Sequence, residues 1–268
     1  DLGYGDIGIL GQKIIKTPNI DKLASGGLIV TNYYSSSPVS SPSRVGLTTG
    51  RFPTEMGINC YLQTRKGNTA CEQFDYLDAS VPTMAKVMKS AGYTTGHFGK
   101  WHMGGGRDVI DAPQITEYGF DEYISTWESP NPDPVITDSA WIWSRTDQVK
   151  RWDRTAYFVD KTLDFLKRHK GEPCFVNLWP DDMHTPWVPS QKTMDSERTS
   201  WTTPPNFKEV LTEYDKQIGR LMEGLTKLGL EKNTIVIFTS DNGPAPSFQQ
   251  MRTNSLLGVK CSLYEGGI

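Results

Sequence analysis

The residues that could do chemistry fall at the ends of predicted strands. Ser240-Asp241-Asn242-Gly243 follows the apolar run Thr234 to Ser240 and offers a carboxylate and an amide oxygen, hard donors that suit Ca²⁺ or Mg²⁺. The same four residues also make an ordinary turn. Asp1 and Asp6, in Asp1-Leu2-Gly3-Tyr4-Gly5-Asp6, are further candidate oxygen ligands. Pro38-Val39-Ser40-Ser41-Pro42-Ser43-Arg44 leads into a short helical stretch ending at Gly50-Arg51. The start of that helix would turn free N–H groups toward an anion, and Arg44 would add a fork of donors. Lys100 and His102, two residues apart, share one side of an extended segment. His184 supplies a second imidazole and Lys260 a second ammonium. Each of these alone is as readily a capped loop or a solvated surface group. Together they could bind a divalent cation and a tetrahedral oxyanion with acid and base groups to hand.

Alternating strands and helices must position these groups. Thr17 with Pro18 reads as the start of a short helix that Gly26-Gly27 ends. Leu28 to Tyr33 then reads as a strand. Ser80-Val81-Pro82-Thr83 opens a second helix, Gly92 closes it, and Tyr93 to Phe98 follows as a strand. Residues 153–169 read as a helix with Ala156, Val159, Leu163 and Leu166 on one face. Cys174 to Trp179 is an apolar strand. In residues 207–228, Leu211, Tyr214, Ile218, Leu221, Leu225 and Leu228 alternate steps of three and four, the strongest helical pattern. Thr234 to Ser240 reads as a fully buried strand. Strand–helix alternation predicts an α/β layered fold with a mostly parallel sheet, whose ligand sites lie beyond the carboxyl ends of the strands. Residues 103–152 lack periodicity and read as a long loop insertion near the site.

Composition excludes other classes. Of 268 residues, 37% are hydrophobic and 22% charged, too apolar for a disordered chain. The net charge of −3 provides no basic field for nucleic acid. No apolar run is long enough to cross a membrane. The four cysteines, Cys60, Cys71, Cys174 and Cys261, contain no CxxC pair; Cys60 and Cys71 could form one small bridge. His97 and His169 read as structural, and Cys174 as a buried apolar residue.

Five segments in order resemble a known family. Ser40-Ser41-Pro42-Ser43-Arg44 with Thr49-Gly50-Arg51, Gly99-Lys100-Trp101-His102, Ser240-Asp241-Asn242-Gly243, Leu263-Tyr264-Glu265-Gly266-Gly267 and the opening Asp1 to Asp6 are similar to motifs of type I, formylglycine-dependent sulfatases of the alkaline phosphatase superfamily. The resemblance covers essentially the whole chain. Where the family carries an Asp-Asp pair at the start, only the second Asp is present here.

The resemblance implies an alkaline phosphatase-like layered fold, with a large, mostly parallel mixed sheet flanked by helices. It implies that residues 1–268 are a catalytic domain truncated at both ends, lacking the first core strand and a C-terminal subdomain. Ser40 would be oxidised to formylglycine by a maturation enzyme. In the hydrated aldehyde, one hydroxyl attacks sulfur and the other then expels sulfate. Asp1, Asp241 and Asn242, with the residue 40 oxygen, would hold Ca²⁺. Arg44 would support the formylglycine oxygens, and Lys100 and Lys260 would hold sulfate oxygens. His102 would take the proton that releases sulfate, and His184 would protonate the leaving alcohol. Ser at position 40 fits either a Ser-type bacterial sulfatase or a Cys changed to Ser.

The expected substrate is a sulfated carbohydrate. Trp127, Trp141, Trp143, Trp152, Trp187 and Trp201 fall in or near loops and could stack on sugars, while Arg107, Arg145 and Arg151 could meet further anionic groups. The alternatives are a phosphodiesterase or phosphonate hydrolase of the same superfamily, or a catalytically inactive glycan-binding homologue. Family habit implies a periplasmic, cell-surface or secreted location.

Overall fold

The computed structural model describes residues 1–137, 143–195, 202–248 and 252–268. In chain order the regular elements are α1 (Pro18–Ser25), α2 (Ser40–Thr49), α3 (Arg65–Ala70), α4 (Met84–Ser90), β1 (Thr94–Gly99), β2 (Glu122–Ser125), α5 (Arg154–Arg168), β3 (Cys174–Trp179), α6 (Gln191–Asp195) and α7 (Pro204–Lys227). The chain divides into two compact units, Val39–Asp181 and the combination of Asp1–Pro38 with Asp182–Ile268.

The unit Val39–Asp181 contains a parallel sheet ordered β2-β1-β3. Gly96 pairs with Glu122 on one side of β1 and Thr94 with Cys174 on the other. The central strand is almost wholly buried, as a parallel strand covered on both faces should be. Its end depends on Gly99, where φ is +128° and a Cβ would sit 2.1 Å from the Trp179 carbonyl oxygen. That close approach lets the Lys100 N–H donate to the same carbonyl at 2.8 Å. One core packs Val45, Ile58, Leu77, Trp101, Tyr118 and Phe120 together. A second joins Phe98, Ile136, Phe158 and Phe165. α4 starts as its sequence signals: the Thr83 side chain accepts from the Lys86 N–H.

Several expectations for this unit change. The buried face of α5 centres on Phe158, Val159, Thr162 and Phe165, while Ala156, Leu163 and Leu166 are half-buried. Two large aromatic rings outweigh the aliphatic stripe in setting the rotation of the helix. The aperiodic stretch 103–152 holds the edge strand β2, whose four residues are too few for a clear period-two pattern. Cys174 is half-buried, and all four cysteines are free thiols, so Cys60 and Cys71 make no bridge.

In the other unit, the apolar side of α7 supplies Phe207, Val210, Leu211 and Ile218 to a core with Leu2, Ile7, Ile15, Ile20, Met183 and Trp187. Asp215 of α7 accepts from the N–H groups of Asn19 and Ile20, satisfying donors at the start of α1. The expected strands Leu28 to Tyr33 and Thr234 to Ser240 join no ladder among the described residues. Leu28, Ile235 and Ile237 are 88%, 89% and 82% exposed. Strand propensity needs a neighbouring strand to become a strand, and none is paired with either segment here.

Candidate functional site

Each unit gathers part of the expected set. In Val39–Asp181, Val39 is the extended cap residue and Ser40 the first residue of α2. Ser40 and Arg44 are one turn apart on that helix and both buried. Arg44 donates Nη1–H to the Lys100 carbonyl at 3.0 Å, and its guanidinium lies 5.1 Å from the centroid of the Trp179 ring. The helix start is tied to His102 by two bonds. The Ser41 hydroxyl accepts the Leu62 N–H at 2.8 Å, and the Leu62 carbonyl lies 3.0 Å from His102 Nε2. A carbonyl can only accept, so Nε2 carries the hydrogen.

Lys100 Nζ and His102 Nδ1 face one carboxylate oxygen, Glu128 Oε2, at 3.2 and 3.3 Å. Burial holds the His102 imidazole far below its ordinary value, to about 3; Glu128 opposes that shift and Lys100 adds to it. Sequence reasoning missed Glu128, since it lies in a stretch with neither period nor motif. Arg107 reaches Glu128 Oε1 at 3.5 Å and stands 4.8 Å from the Trp127 ring centroid.

In the other unit, Asp1, Asp241, Asn242 and Lys260 converge. Lys260 Nζ lies 2.9 Å from Asp1 Oδ1 and 3.0 Å from Oδ2. Asn242 donates Nδ2–H to Asp1 Oδ1 at 2.8 Å, and the Asp1 backbone nitrogen lies 2.7 Å from Asp241 Oδ1. Gly243 permits the turn to close on the Gly-rich segment, because a Cβ there would lie 2.0 Å from the Gly266 oxygen. Two carboxylates and an amide, with Asp1 and Asn242 buried, offer hard oxygens of the kind Ca²⁺ takes, and here both Asp1 oxygens face Lys260 Nζ. Among the described residues no group of three or more His, Cys, Asp or Glu side chains is placed to hold a metal ion by itself. His184 lies in this unit and donates Nδ1–H to the Thr185 carbonyl at 2.6 Å.

Some candidates have other employment. Asp6 is fully buried against Arg252, whose Nη2 lies 2.8 Å from Asp6 Oδ2, and it also accepts the Gly3 N–H at 2.6 Å. That ion pair supports Asp1, since the same Nη2 donates to the Asp1 carbonyl at 2.8 Å. A carboxylate so paired is a support and not an open metal ligand. Arg151 is buried against Asp181, with Nη1 to Oδ2 at 2.6 Å, and does not face outward for a substrate anion. Trp187 is a core residue, and Trp127 is buried; Trp143 and Trp152 are half-buried. Trp141 and Trp201 lie outside the described residues. His97 stands edge-on to Trp101 and Trp179, and His169 pairs with Glu172, as structural histidines would.

Known proteins carry the same framework. The chain is 30% identical over 293 residues to human N-acetylgalactosamine-6-sulfatase, covering all of this chain and 53% of that protein. It is 28% identical to the N-acetylgalactosamine-6-O-sulfatase of Bacteroides thetaiotaomicron, covering 64% of it. The chain thus spans about half the length of most of the curated relatives it matches. A solved sulfatase from the glycosaminoglycan-metabolism locus of Bacteroides thetaiotaomicron superposes with TM-score 0.78 at 29% identity, covering all of this chain and 68% of that one. A structure of Ps i-CgsB in complex with k-i-k-neocarrahexaose gives TM-score 0.78 at 26% identity, covering 62% of that chain. A phosphonate monoester hydrolase of Agrobacterium radiobacter shares the fold alone, at TM-score 0.65 and 19% identity. The Sulfatase family pattern matches residues 1–261, and with the Ser-x-Pro-Ser-Arg helix start and the Asp-Asn-Gly turn both in place, this chain belongs to the sulfatase family.

Proposed function

We propose that this chain is the catalytic part of a sulfuric ester hydrolase that removes sulfate from a sulfated carbohydrate, with a 6-sulfated N-acetylgalactosamine unit as the substrate class. The observation that carries the reading is the buried cationic group behind the start of α2, where Arg44 and Lys100 are linked through the Lys100 carbonyl. Buried cations with fixed partners suit a tetrahedral oxyanion such as a sulfate ester, whose negative charge is spread over three oxygens. The substrate class is taken from the relatives named above.

The roles assigned to the residues follow the resemblance to the sulfatase motifs. Ser40 is the position of formylglycine, which supplies, when hydrated, a hydroxyl to attack sulfur and a second through which sulfate leaves. Arg44 holds the oxygens of residue 40. Lys100 and Lys260 bind sulfate oxygens. His102 takes up a proton at Nδ1, the ring nitrogen that carries no hydrogen when Nε2–H points at Leu62. His184, with its hydrogen on Nδ1, presents Nε2 as the atom that passes a proton to the leaving alcohol. Asp1, Asp241 and Asn242 would hold Ca²⁺, and the ion would supply charge neutralisation at the ester. Maturation of Ser40 by a formylglycine-generating enzyme and export to the periplasm or cell surface complete the proposal. Among the described residues no helix is long and apolar enough to cross a membrane.

The test uses the full-length protein made in its native host. Sulfate release from 6-sulfated N-acetylgalactosamine is measured beside the mass of the tryptic peptide Leu23–Arg44. Turnover with a peptide two hydrogens lighter than the encoded Ser form is the expected result. An unshifted peptide, with no sulfate released and the glycan still bound, would replace this reading with a binding protein.

A further inference from the structure

We propose that Glu128 is a positioning residue of this site, a carboxylate that holds the Lys100 ammonium and receives the imidazolium formed when His102 takes a proton. The inference rests on the sulfatase reading for its substrate and on the geometry for its mechanism. Glu128 engages the pair with both side chain and backbone. Its carbonyl accepts the His102 N–H at 2.9 Å, and its Oε2 stands 3.2 Å from Lys100 Nζ and 3.3 Å from His102 Nδ1. His102 adopts φ of +54°, a left-handed conformation that a non-glycine residue keeps only when its surroundings hold it.

Neutral His102 donates from Nε2 to Leu62 and so turns the lone pair of Nδ1 toward the carboxylate. Two facing lone pairs repel, and a proton placed at Nδ1 converts that repulsion into a charge-assisted hydrogen bond. The carboxylate thus favours the protonated ring more than the neutral one, which is the condition for assisting a base. Lys100 shares the same oxygen and is buried, so Glu128 also supplies the countercharge to its ammonium. On the other side, Oε1 faces Arg107, which is stacked near Trp127. The carboxylate therefore stands in a field of two cations and an imidazole and is itself held in place.

The test compares full-length Glu128→Gln and Glu128→Asp with the wild type. Gln keeps the shape without the charge, and Asp keeps the charge one methylene shorter. The expected result for Glu128→Gln is a fall in kcat of about 100-fold with KM changed less than about threefold. The acid limb of its kcat profile moves to lower pH, because the charge that favours protonated His102 is gone. Asp recovers roughly tenfold or more of the loss, and melting temperatures stay within about 3 °C. A kcat unchanged in Gln, or a loss matched by a collapse of the melting temperature in both variants, overturns the proposal. If the wild type turns over no sulfate ester, the sulfatase reading fails, and nitrogen NMR of the His102 ring still decides the point. A changed Nδ1 resonance in Glu128→Gln supports the contact, and an unchanged one overturns it.

Discussion

Lys260 and Asp1 form a two-point contact, one ammonium against both oxygens of one carboxylate at 2.9 and 3.0 Å. Two groups expected to serve different ligands, sulfate and Ca²⁺, thus neutralise each other. Lys260→Met separates the two roles. Removing a cation from the Asp1 carboxylate leaves Ca²⁺ affinity equal or tighter, while kcat/KM for the sulfate ester falls about 100-fold. Calorimetry with Ca²⁺ alone and initial rates on the same preparation check both halves; weaker Ca²⁺ binding would contradict this division of labour.

Asp181 shares one carboxylate oxygen between Arg151 at 2.6 Å and Arg154 at 3.0 Å. Burial works against its charge, and the two guanidiniums outweigh burial, holding the carboxyl below the usual range. Arg154 also donates to the Ile136 carbonyl at 2.9 Å, tying the 103–152 stretch to the segment that follows β3. Asp181→Ala takes a shared carboxylate from two buried guanidiniums, of which Arg154 keeps Asp147 at 3.5 Å, and costs about 3–5 kcal/mol in urea unfolding. Lys216→Met, which breaks an exposed pair with Glu213, costs under about 0.5 kcal/mol and serves as the comparison.

His97 supplies a pH dependence of stability. Burial among Trp101, Phe120 and Trp179 pushes its pKa down to about 3, with Arg44 adding to the shift. The unfolded ring binds a proton below about 6.5 and the folded ring does not until about 3. Stability from this group is therefore complete above about 6.5 and is lost as pH falls toward 3, by about 1.4 kcal/mol per pH unit. His97→Phe lowers that slope by about one proton's worth between pH 4 and 6 relative to the wild type. Equal slopes in urea melts across that range would refute the assignment.

Ile235 and Ile237 alternate with less exposed neighbours along an extended segment that joins no ladder among the described residues. An apolar edge of this kind recruits other chains. Residues 1–268 expressed alone should associate at micromolar concentration, and Ile235→Lys with Ile237→Lys should shift light scattering toward the monomer. A monodisperse wild-type sample would remove the basis for this expectation.

Much of the molecule was legible in residue order alone. The helices α1, α4, α5 and α7 follow from local signals, namely Pro18 at a helix start, the Thr83 cap and the three-and-four spacing of Leu211 and Ile218. The candidate residues were legible because Ser40 to Arg44 and Asp241 to Gly243 are contiguous motifs. What the tertiary structure decided depends on distant parts of the chain. Glu128 meets Lys100 and His102 from 28 and 26 residues away, Arg252 claims Asp6 from across its unit, and Phe158 and Phe165 turn α5. Leu28 to Tyr33 and Thr234 to Ser240 have the composition of strands, yet a ladder requires a second backbone to supply its hydrogen bonds. Local propensity chooses helices and turns within a few residues, whereas strand pairing and the charge partners of buried groups are set only when distant backbone comes together.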